Sequence, residues 1–216
     1  MTGNNTMHIL RNMTISAMLL GLFAVLGTGI VAYTFDKTKL RIAENERIAI
    51  VQSLHALIAP KEHDNDLYAD FIQVNDKNLL GTDQAVNVYR ARMKQQPVAA
   101  ILNSVAPDGY SGSIYLLVAI RYDGKLAGVR VVKHRETPGL GDGIEIERSN
   151  WILGFNGKSL DNPPENKWRV KRDDGVFDQL TGATITPRAV IKAVKNTLRY
   201  YAANKDKLFN TPASKE

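Results

Sequence analysis

Residues Ser111–Glu136 read "SGSIYLLVAIRYDGKLAGVRVVKHRE", and this stretch decides the fold. Apolar and β-branched runs stand on both sides of Asp123-Gly124. An Asp-Gly pair in that setting predicts a β-hairpin, because both central residues of a tight hairpin turn need a positive φ. Farther along, Lys167–Val170, "KWRV", alternates charge with bulk and predicts another strand. Asn150–Leu160 reads as a short helix or bent segment around Trp151 and Phe155. Asp83–Gln96, rich in arginine and ending before Pro97, predicts a helix, and Ile42–Ile58 predicts a second, with Pro60 just beyond its end. The sequence has no internal repeat. One antiparallel sheet with helices against it places the chain in the α+β class.

The C-terminal helix is announced by Asp178–Val190, "DQLTGATITPRAV". Proline suits the first turn of a helix, where its missing N–H costs nothing, so Pro187 is expected at the first helical position and Thr186 at the N-cap. Val190, Ile191, Val194, Leu198 and Tyr201 then share one face, with Arg188, Lys192, Lys195 and Arg199 largely on the other. As a cap alone Thr186 would contribute about 1 kcal/mol. A helix start also favours an anion, through free N–H groups and the positive end of the dipole. Gly182 and Ala183 remove bulk just upstream, and Thr181 and Thr184 add hydroxyls, which together make a cradle for a phosphate ester. No Walker loop is present, since no Gly-Lys-Ser/Thr stands at the required spacing.

After the hairpin comes a second glycine-rich site, "HRETPGLGD", His134–Asp142. Pro138, Gly139 and Gly141 set a tight turn that lets backbone approach a flat ligand, and Glu136 offers a side chain to a ring or to a backbone N–H. By itself such a loop reads more readily as a plain structural turn. His63, Asp64 and Asp66, in the acidic loop "KEHDNDLYAD", read as solvated loop residues rather than metal ligands.

Near the N-terminus, Asn12–Phe35 contains no charged residue and its centre, "ISAMLLGLFAVLGTGIVAY", is almost wholly apolar. At about 1.5 Å per residue it is long enough to cross a hydrocarbon layer of about 30 Å. The run is too long for a signal-peptide core, which favours an uncleaved anchor. Arg11 alone precedes the span, whereas Lys37, Lys39 and Arg41 follow it. Flanking charge would therefore keep the C-terminal part in the cytoplasm, although long domains translocate largely regardless of that rule.

The chain has 216 residues, enough for one ordinary domain with attachments, and a formal net charge of +6. Its basic residues are scattered among acids instead of gathered in a block, which argues against nucleic acid as a partner. With no cysteine, it carries no disulfide, thiolate zinc site or cysteine-ligated iron–sulfur cluster of its own.

"GYSG" at 109–112, "ETPGLG" at 136–141 and "DQLTGATIT" at 178–186, taken with the N-terminal anchor, resemble the FMN-binding subunits of membrane electron-transport complexes. The layout is most similar to the G-subunit family of Rnf ion-translocating complexes and is also related to the C subunit of sodium-pumping NADH:quinone oxidoreductase. The resemblance implies FMN joined covalently through its phosphate to the last threonine of the motif, Thr186. It assigns cofactor contacts to Thr184, Ala183, Gly182, Thr181, Asp178, Glu136, Thr137, Gly139, Leu140, Gly141, Tyr110 and Ser111, and no metal. It further implies an electron-carrying subunit rather than a complete enzyme, with electrons moving between ferredoxin and NAD. The expected partners are other membrane and redox subunits, and a flavin transferase that installs the FMN from FAD. The soluble domain is expected on the outer, periplasmic side of the cytoplasmic membrane, against the flanking-charge count. The corresponding segments are residues 1–11 as a short cytoplasmic N-terminus, 12–35 as the membrane helix, 36–98 as a helical stalk and first part of the soluble domain, 99–206 as the FMN-binding domain, and 207–216 as a tail. A non-redox module that holds a phosphate-bearing ligand at the helix start, or an assembly subunit without cofactor, is the competing reading.

Overall fold

The computed structural model describes residues 3–214. The chain divides into two compact units, Met1–Ala49 and Ile50–Glu216. The first consists of most of helix α1, Gly3–Leu57. Within it the expected span is helical throughout, and Leu20, Phe23, Val25, Ile30, Val31 and Phe35 all expose their side chains. A helix that is apolar all round has no polar face to give to water, which is the pattern of a membrane span.

The second unit is built on an antiparallel meander of five strands in chain order: β1 Phe71–Asp76, β2 Thr82–Met93, β3 Gln96–Ala106, β4 Ile114–Arg121 and β5 Leu126–Lys133. A short helix α2, Lys77–Leu80, links β1 to β2, and the long helix α3, Ile185–Asn210, lies at the C-terminus. Strands β1 and β2 lie ahead of residue 99 and continue directly into β3. The sheet is buried on both faces. Val88, Ala100, Leu102, Val118 and Ile120 join the core that holds Val190, Val194, Leu198 and Tyr201 of α3. On the opposite face Tyr89, Ala91, Ala99, Ile101, Leu117 and Ala119 meet Leu54, Leu57 and Ile58 from the end of α1 and its exit.

The β4–β5 hairpin forms where expected, with a different turn. Only Gly124 of the Asp-Gly pair has a positive φ, +88°. Its N–H donates to Arg121 O at 2.9 Å, and Arg121 N–H donates to Lys125 O at 2.8 Å. This is a β-turn followed by a left-handed glycine, the longer hairpin form with a bulge. The two-residue turn with two positive φ values belongs instead to Lys94 and Gln95, at +49° and +66°, between β2 and β3.

Two other expectations are corrected. Asp83–Gln96 is not a helix: almost all of it is strand β2, because Val88, Tyr89, Arg90 and Ala91 are all buried, two on each face of the sheet. "KWRV" is not a ladder strand, since Lys167 ends a 3-10 turn and Val170 makes only an isolated bridge to Phe177. Asn150–Phe155 forms the short helix expected near Trp151, of the 3-10 type.

The arginines of β2 explain its burial. Arg90 is 2% exposed; its guanidinium donates to Asp70, to Leu208 O at 3.1 Å and to Thr211 O. Arg92 adds bonds to the second oxygen of Asp70, at 2.9 Å, and to Phe209 O, at 2.8 Å. Two cations thus satisfy carbonyls at the end of α3, where such carbonyls have no intrahelical partner and the dipole favours positive charge. Removing one member of a buried pair strands the other. We expect Arg90→Met to destabilise the domain by about 3–5 kcal/mol in urea unfolding, far more than loss of an exposed pair.

Candidate functional site

A cavity of about 460 Å³ opens where the β4–β5 hairpin ends meet the start of α3. That volume lies within the range of about 300–1,000 Å³ common for small-molecule sites. Its lining comes from three places: Tyr110 ahead of β4; Glu136, Thr137, Leu140 and Gly141 after β5; and Gly182, Ala183, Thr184, Ile185 and Thr186 at the entry to α3. Two segments separated widely in sequence therefore share one wall.

Helix α3 begins at Ile185, with Thr184 in the cap position. This corrects the expectation that Thr186 is the N-cap. Thr184 has helical backbone angles and its side chain makes no capping bond. The first turn contains no acidic residue. Thr186 lies inside that turn and is 1% exposed. Its hydroxyl donates across the cavity wall to Oε2 of Glu136, itself 4% exposed.

Glu136 is held at several points. Oε1 accepts from the Ser111 backbone N–H at 2.9 Å. The Glu136 N–H donates to His134 Nδ1 at 3.0 Å, so the ring proton is on Nε2, which donates to Glu145 Oε1 at 2.7 Å. A buried carboxyl is costly without donors, and these fix its direction. Gly141 leaves the room the pair needs. A Cβ there would stand 2.8 Å from Glu136 Cβ, 3.0 Å from its Oε2 and 3.2 Å from Thr186 Oγ1. Gly182 sits at φ +79°, a conformation suited to glycine, and a Cβ on it would meet Leu140 at 2.6 Å.

Nine of the thirteen residues assigned from the sequence line this cavity. Ser111 acts from behind, through Glu136. Gly139, at φ +78°, shapes the exposed turn without reaching the cavity wall. Thr181 is exposed and lies outside the lining. Asp178 is also outside it: its carboxyl pairs with Lys171 and its carbonyl accepts from Trp151 Nε1 at 2.7 Å, so it fastens the loop before α3. Ile185, in the lining, was not anticipated, and neither was His134 as a support for Glu136. His134 stands two residues before Glu136, and that spacing was the available signal. Beside the site Arg188 grips Asp173 with two bonds, 2.6 and 2.8 Å. The guanidinium holds the Asp173 carboxyl below its ordinary value, and the carboxylate in turn raises Arg188.

The residues fit FMN. The cavity is roomy enough, and Tyr110, Leu140, Ala183 and Ile185 give it apolar surface, while an uncapped helix start and threonine hydroxyls offer phosphate donors. Comparison with known proteins agrees in class: residues 109–199 match the FMN-binding domain family. Residues 1–57 match the RnfG N-terminal region. Relatives that bear the name of the G component of the ion-translocating oxidoreductase complex align over nearly the whole chain. The one from Pseudomonas aeruginosa is 49% identical, covering 92% of each chain. That from Shewanella loihica is 46% identical over 95% of this chain and 97% of its own length. That from Aliivibrio fischeri is 41% identical over 96% and 99%. The chain belongs to the G-subunit family of Rnf ion-translocating oxidoreductase complexes.

Proposed function

We propose that this chain is the electron-carrier subunit of a membrane-bound, ion-translocating ferredoxin:NAD oxidoreductase, carrying an FMN esterified through its phosphate to Thr186. The observation that carries the reading is the position of Thr186 Oγ1, in the wall of an FMN-sized cavity at the start of α3. Bound FMN supplies the one- and two-electron chemistry. The chain's own residues hold and orient it. The first turn of α3 offers N–H groups to the phosphate, while the glycines at 141 and 182 make room for the Glu136–Thr186 pair and for Leu140 in the cavity wall. Leu140, 46% exposed, and Tyr110, 69% exposed, supply apolar surface at the mouth. A covalent tether prevents loss of cofactor into an open compartment. Redox and membrane subunits of the complex exchange electrons with the flavin, and a flavin transferase installs it.

We further propose that the Asn12–Phe35 segment anchors the chain in the cytoplasmic membrane with the flavin domain outside. Support comes from the length and apolar character of the helix and from the family. Added protease should then digest the domain in intact spheroplasts and leave a membrane-bound stub. Full protection until lysis would reverse the orientation.

Thr186→Val tests the attachment. The valine keeps the shape and removes the hydroxyl, leaving Oε2 of Glu136 without that donor. The expected cost is about 1–3 kcal/mol, more than for an exposed cap, with the fold retained. After coexpression with a flavin transferase, wild-type protein should show a fluorescent band in denaturing gels. The valine variant should show none.

A further inference from the structure

Three threonine hydroxyls border the cavity, those of Thr137, Thr184 and Thr186. Thr137 and Thr184 are exposed, yet the assigned acceptor is the buried one. An alcohol is a weak nucleophile at its ordinary acidity and reacts when a base takes its proton. Among the described residues of the lining, Glu136 is the sole carboxyl group, and it bonds directly to the hydroxyl of Thr186. Its other oxygen is fixed by Ser111 N–H, so Oε2 is aimed at that hydroxyl. Gly141 clears both groups, and Gly109 clears Oε1, which a Cβ there would approach to 3.0 Å.

We propose that Glu136 is the general base for the flavinylation of Thr186, and that this contact selects Thr186 over Thr184 and Thr137. The proposal rests on the reading that Thr186 carries the flavin phosphate. In the step, Thr186 Oγ1 attacks the flavin-side phosphorus of a flavin dinucleotide presented by the transferase. The Oγ1–P bond forms, the diphosphate P–O bond breaks, and the nucleoside monophosphate leaves with that electron pair. The threonine proton passes to Glu136 Oε2, and no oxidation or reduction takes place. A positioned base contributes about 10²–10⁴-fold to such a transfer.

The test uses the full-length chain with purified flavin transferase and FAD, with loading followed by intact mass. Glu136→Gln keeps size and an acceptor oxygen but takes no proton. It should load at least about 100-fold more slowly than wild type at an unchanged melting temperature. Glu136→Asp, with a shorter carboxyl, should load faster than the Gln variant. Wild-type loading by the Gln variant, or an Asp variant no faster than Gln, overturns the proposal. If the Gln variant does not fold, Glu136→Ala with added formate replaces it: loading must rise with formate, and indifference to formate overturns the proposal. The parent reading fails separately, if wild-type protein takes up no flavin or Thr186→Val loads as wild type does.

Discussion

A buried hydrogen bond from the Thr186 hydroxyl to the Glu136 carboxyl joins two segments 50 residues apart and sets the geometry of the site. Taking a carboxyl out of water is tolerable only where donors await it. The β4–β5 hairpin delivers one of them: antiparallel pairing brings its open ends together, so Ser111, just ahead of β4, meets Glu136, just beyond β5. Helix α3 delivers the other from its first turn. Gly141 follows from the same demand, because a side chain there would enter the space of the pair, whereas a Cβ at Gly109 would first strike Gly112 O, at 2.2 Å, and then Oε1 of Glu136, at 3.0 Å.

Placing that first turn requires control of the whole helix. Helix α3 is 26 residues long, packed against the sheet through its apolar face. Its far end is gripped by Arg90 and Arg92 of β2, with Asp70 balancing both cations. Near its start Arg188 binds Asp173, fastening the preceding loop. The helix is thus held at both ends and along its length, so the threonine hydroxyl has little freedom relative to the carboxyl that receives it.

Much of this was legible from residues. The hairpin, the apolar face of α3 and the membrane-length helix declare themselves through turn chemistry and periodicity. Two glycine-bearing motifs marked the walls of the cavity. What misled were local cues overridden by distant partners. The arginine-rich segment 83–96 suggested a helix, but it is a strand whose Arg90 is buried by carbonyls over a hundred residues away. Pro187 suggested a helix starting at itself, whereas the helix starts two residues earlier and turns Thr186 inward. The Glu136–Thr186 contact joins two motifs that were each recognisable, yet nothing local to either shows that they touch.

Whether its setting singles out Thr186 can be read from fragmentation of the tryptic peptide Asp173–Arg188 from flavinylated protein. This peptide contains Thr181, Thr184 and Thr186, so one spectrum distinguishes all three. The flavin phosphate should be found on Thr186 alone. Flavin mass on Thr181 or Thr184, or a peptide with no adduct in protein that holds covalent flavin, would contradict it.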